Sequence, residues 1–144
     1  MSRTAIAATI VTSILALPSP SLAASEEEVF KLRDKTAAAF KCAIYANNFD
    51  DQKEEQRLFQ IGLKAGRDAV EGAKSLKDSP MSELQTYMPG VTTDFLVGQM
   101  WEEQSNQVGD EIRNSLVPKR WEDLDARKYE AERRYRESNC SLIQ

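Results

Sequence analysis

Residues 38–48 read AAFKCAIYANN. Phe40, Ala43 and Asn47 recur at helical spacing, Ile44 broadens the face, and Cys42 stands beside Ala43, close to any core this helix helps to build. The only other cysteine, Cys140, lies in RESNCSLIQ, residues 136–144. Two cysteines in an exported chain most often form one disulfide; two free thiols, or an intermolecular bridge through Cys140, are the alternatives. No Cys-x-x-Cys spacing is present, which argues against a thiol oxidoreductase.

Export is itself a sequence expectation. Arg3 gives a short basic start, and Ala5–Leu17, AIAATIVTSILAL, is apolar but too short to span a bilayer, which takes about twenty residues. Pro18 and Pro20 follow, and Ser21-Leu22-Ala23 supplies the small residues that a signal peptidase reads. The expected cut falls between Ala23 and Ala24, so that residues 1–23 are a signal peptide and 24–144 a single helical domain delivered to the periplasm or secreted. Ser25 stands where a lipoprotein box would need cysteine. Loss of Arg3, with no acid in the removed segment, takes the net charge from −4 to −5. Such an acidic product is a poor binder of nucleic acid or anionic membranes.

The chain has no histidine. That removes Ser-His-Asp and Cys-His catalysis, His-containing zinc sites, the Glu-x-x-His pattern of di-iron bundles, and histidine-ligated haem. No catalytic, cofactor-binding or metal-ligating residues are nominated. Asp50-Asp51 and Glu102-Glu103 are sequence neighbours and do not face each other on a helix. The stretch NNFDDQKEE lacks the central glycine of a calcium loop.

The apolar period is helical from Ser25 onward. Ser25 to Glu28 form a capping box opening a first helix over about 26–47, with Val29, Leu32, Thr36, Phe40 and Ala43 on its face. Asp51 can cap a second helix over about 52–77, with the stripe Leu58, Ile61, Ala65, Ala69, Ala73 and Leu76. Gly62 and Gly66, one turn apart, mark close packing against the first helix or a notch for a partner; packing is the simpler reading. Ser79-Pro80 opens a short helix through Tyr87, and Pro89-Gly90 signals a turn. A third long helix, about 94–116, carries Val97, Trp101, Val108, Ile112 and Leu116. The fourth, about 119–138, carries Trp121, Leu124, Lys128, Ala131 and Tyr135, with Leu142 beyond it. Acid-before-base pairs four apart, Asp123 with Arg127, Glu130 with Arg134 and Glu132 with Arg136, suggest that its other face is solvated.

The expected fold is therefore all-α: four long helices in a bundle, pinned by one disulfide, with a crossover segment at about 78–93 containing a short helix. The disulfide motivates the crossover. In a plain up-down-up-down bundle with full-length helices, Cys42 sits at one end and Cys140 at the other, about 30 Å apart at 1.5 Å per residue. Bridged Cα atoms must come within about 7 Å. A third helix running parallel to the second would bring them together.

The most apolar region left without a role is TYMPGVTTDFLVGQMW, residues 86–101. Tyr87, Met88, Phe95, Met100 and Trp101 are the candidate partner-binding residues, unless the segment simply roofs the core. The functional expectation is a small exported module that binds another exported or envelope protein: an inhibitor, immunity-type protein or adaptor, with no cofactor and no enzymatic role. The alternative is a small-ligand carrier, or a histidine-independent enzyme with a cavity in the bundle.

Overall fold

Ser25 caps the first helix. Its hydroxyl accepts the Glu28 amide at 3.2 Å while its own amide donates to the Glu28 carboxylate at 2.8 Å, closing the capping box. The computed structural model describes residues 25–76, 87–116, 120 and 122–144. The signal-peptide segment, the expected short helix up to residue 86, and Trp121 lie outside them. Helix α1 spans Glu26–Asn48 and α2 spans Gln52–Ser75. Between them Asp50 takes a left-handed φ of 66°, which a short polar side chain tolerates, and Asp51 caps α2 by accepting the Glu54 amide at 3.1 Å. Helix α3 spans Thr93–Ser115, capped by Thr92, and α4 spans Leu124–Glu137, capped by Asp123. Asn139, at φ 53°, then reverses the chain into a single 3₁₀ turn, Cys140–Leu142. The described residues contain no strand.

The two glycines of α2 lie at the centre of its buried face, not beside it. A methyl group on Gly62 would collide with the Phe40 ring of α1. One on Gly66 would stand 3.1 Å from Thr36 of α1 and 3.1 Å from Val97 of α3. The pair is a packing device, serving α3 as well as α1. It lets α1 and α2 approach closely enough to form the most extensive helix contact of the fold.

The course of α3 corrects the expected topology. Arg67 of α2 pairs with Asp94 at 2.7 Å and Lys74 donates to the Thr93 hydroxyl at 2.6 Å, so α3 starts beside the end of α2. Farther along, Glu111 meets Lys41 and Tyr45 of α1. Helix α3 thus runs antiparallel to α2 and parallel to α1. Helix α3 therefore begins at the end of the bundle where α2 stops, not at the opposite end as a crossover would require. What reconciles this with the disulfide is the length of α4. It has 14 residues, about 20 Å, and its first turns stand level with the α1–α2 turn, where Lys128 pairs with Asp50 at 2.5 Å. Descending from there, Cys140 reaches the depth of Cys42 without spanning the bundle. The two cysteines form the expected disulfide, with Cα atoms 5.5 Å apart.

Two apolar clusters fill the interior. One gathers around the disulfide: Cys42, Ile44, Tyr45, Leu58, Val108, Ile112 and Ala131. The other joins Phe40, Val70 and Val97, with Trp101 and Met100 against it. The expected stripe of α4 holds in part: Ala131 is buried and Tyr135 packs against the disulfide cluster. Leu124 and Leu142 are exposed, and the buried residues are Ala126, Glu130 and Ala131. The helix starts at its Asp123 cap, five residues later than expected, and its orientation is fixed by Cys140 and by ion pairs.

Candidate functional site

The residues nominated from the 86–101 segment divide into two groups. Tyr87, Met88 and Phe95 are exposed, Tyr87 to 81% of its surface. They precede or open α3, at the end of the bundle away from the disulfide. Met100 and Trp101 pack against the core. The Trp101 ring stands edge-on to Phe40, with centroids 5.2 Å apart, and to Phe59 at 5.1 Å. Both are half-buried against the Phe40–Val97 cluster. The helical period explains the split: Trp101 is four residues after Val97 and shares its face, whereas Phe95 lies on the opposite side.

At that same end α1, α2 and α3 leave an open cleft of about 390 Å³. Its apolar lining comes from Val29 and Ala37 of α1, Ala69, Val70 and Ala73 of α2, and Met100 of α3; Arg33, Asp34, Glu103 and Gln104 supply the polar remainder. Its α2 wall is made of the small side chains Ala69, Val70 and Ala73.

Around the disulfide the character is different, and sequence reasoning missed it. Glu111 of α3 accepts hydrogen bonds from Lys41 Nζ at 2.7 Å, Tyr45 OH at 2.5 Å and Gln107 Nε2 at 3.0 Å. Arg134 of α4 reaches it at 3.5 Å and binds Glu130 at 2.7 Å, while Arg133 holds Glu130 at 2.6 and 2.9 Å. Glu130 is buried, so the helix face expected to be solvated is in part an internal ion-pair seam. Of the three anticipated pairs, Glu130–Arg134 and Glu132–Arg136 are present, the latter at 3.7 Å. One signal was available: Lys41 interrupts an apolar run that is otherwise unbroken from Ala37 to Ala46, and a cation placed there needs an anion from another element.

The carboxylates of this seam are held in their charged form. Hydrogen bonds from Arg133 hold the Glu130 carboxyl down to about 2, against burial, with help from Ser115 and Arg134. Burial pushes Glu111 up, but donation from Lys41, Tyr45 and Gln107 outweighs it and leaves the group below its usual value. Tyr45 is raised well above the usual phenol by burial and by its bond to Glu111. Strongly held carboxylates are weak bases, and a raised phenol is a poor nucleophile. No buried side-chain polar atom among the described residues lacks a hydrogen-bond partner. Nor does any group of three or more Asp, Glu, Cys or His among them suit a metal ion.

Comparison of the chain with protein-family models, with curated proteins and with solved structures finds no match.

Proposed function

We propose that this chain is a small exported protein that binds another exported or envelope protein, as an inhibitor, immunity-type protein or adaptor does, through the end of the bundle that α4 leaves open. The observation that carries this reading is the exposure of Tyr87, Met88 and Phe95 at the approach to α3. Three large apolar side chains on 87–95 join neither apolar cluster of the described residues, and aromatic and Met side chains are the usual anchors of protein interfaces. The basic start and apolar run of residues 1–23 support export. The disulfide is compatible with it. No helix among the described residues is long and apolar enough to cross a membrane.

The experiment uses mature protein, from Ala24, as bait for periplasmic extract, beside a Tyr87→Ala/Met88→Ala/Phe95→Ala variant. A specific partner captured by the parent and lost by the variant, with thermal stability unchanged in the variant, is the expected result. Equal capture by both would remove this surface from the reading. The second reading, a small-ligand carrier, is favoured by the apolar cleft of about 390 Å³. It predicts that an apolar fluorescent probe is bound by the parent and excluded when Ala69→Phe fills the cleft.

A further inference from the structure

The disulfide is inaccessible in the folded chain, and one side chain does much to keep it so. Cys42 is 2% exposed and Cys140 not at all. Cys140 opens a three-residue turn, Cys140–Leu142, entered through the left-handed Asn139, and Ile143 and Gln144 follow that turn. Ser141, Leu142 and Gln144 are exposed, so apolar packing holds this tail through Ile143 alone. Its polar hold comes from Arg57 of α2. Arg57 Nη1 donates to the Ile143 carbonyl at 2.6 Å and Nη2 to the Cys140 carbonyl at 3.5 Å. Glu54, three residues earlier on α2, fixes the guanidinium with bonds of 2.7 and 2.6 Å. The Tyr135 hydroxyl of α4 donates to the same Glu54 carboxylate. One carboxylate–guanidinium pair thus ties down both α4 and the turn that carries Cys140.

We propose that Glu54 and Arg57 form a latch that shields the disulfide from external dithiols, and that opening this latch, without unfolding of the bundle, makes the bond reducible. With the tail released, a reductant thiolate attacks Sγ of Cys140 and the S–S bond breaks, Cys42 leaving as thiolate. The second thiol of the reductant resolves the mixed disulfide. Two electrons and two protons pass to the protein, giving two cysteine thiols and one oxidised reductant. Reduction removes the covalent anchor of α4, a helix that buries only Ala126, Glu130 and Ala131. The apolar cluster beneath it, including Ile44, Leu58 and Ile112, then becomes accessible. The latch therefore sets whether the redox environment can open this end of the molecule.

The test follows reduction of the mature protein by dithiothreitol, with alkylation trapping and intact-mass readout, over a range of low urea concentrations. Arg57→Ala is expected to accelerate reduction at least tenfold in buffer, with little dependence on low urea, because only a local opening is needed. Glu54→Gln, which leaves Arg57 in place but loosens it, falls between. In full denaturant all three chains react alike. A wild-type rate for Arg57→Ala would overturn the proposal. So would an acceleration that tracks urea in step with the global unfolding equilibrium, since the whole fold would then be the shield. Gly66→Ala, which perturbs packing at the far end, separates general loss of stability from loss of the latch: it should leave the rate in buffer unchanged.

Discussion

One helix is treated in two ways along its length. From Ala39 to Ala46 every residue of α1 except Lys41 is buried, whereas from Glu26 to Lys35 none is. The sequence pattern follows the surroundings. Where α2, α3 and α4 all pack against α1, the apolar residues run on without a polar face; where α4 is missing, only Val29, Leu32 and Thr36 keep a stripe toward α2. A helix that is apolar all round is a central helix, and here that property belongs to half of one. The closed end is held by a disulfide and an ion-pair seam. The open end has a cleft and exposed aromatic side chains. In this bundle, stability and the candidate binding surface lie at opposite ends.

Removing the disulfide should break the comparison most strongly. Replacing both Cys42 and Cys140 with Ala is expected to cost about 4 kcal/mol in urea denaturation, given the long loop the bond closes. Protection of α4 amides should fall with it, and the Arg67–Asp94 region should be affected least.

Trp101→Ala probes the boundary between the two ends. Loss of the edge-on contacts with Phe40 and Phe59 should cost about 3 kcal/mol in the same assay. A change below 1 kcal/mol would mean that Trp101 belongs to the exposed surface instead.

Glu130→Gln tests the ion-pair seam through pH. The folded-state value, about 2, lies below the ordinary 4.5, so the carboxylate stabilises the fold above the ordinary value. That contribution is lost as pH falls from about 4.5 toward 2. The variant should be about 2 kcal/mol less stable than the parent at pH 7, and the gap should close on acidification through that window. A gap that stays constant with pH would assign the effect to packing.

Phe95→Ala is the smallest. As an exposed residue, 55% accessible, it should change stability by less than about 0.5 kcal/mol. A larger loss would place it in the core and leave the open end with fewer anchors.

Much of this arrangement was legible in the residues. The caps at Ser25 and Asp51 give the helix starts because their hydroxyl and carboxylate oxygens serve amides that have no helical partner. The cysteine pair and the packing role of Gly62 and Gly66 were equally readable. The direction of α3 was not. The expected direction rested on the disulfide and a full-length fourth helix from about 119, whereas α4 begins only at its Asp123 cap. Glu130 escaped because a buried ion pair and a surface pair four apart have the same spacing; only the elements stacked above them differ. Among the candidate partner residues, helical phase was enough to separate Trp101 from Phe95. For Tyr87 and Met88, outside the long helices, no period was available to decide.

Native-state hydrogen exchange along α1 tests the central claim most directly, because a single helix samples both ends. The account predicts amides of residues 40–46 that exchange only through global unfolding, and amides of residues 30–35 that exchange through local opening at least a hundredfold faster. Uniform protection along α1, or faster exchange in the 40–46 half, would contradict a bundle closed at the disulfide end and open at the other.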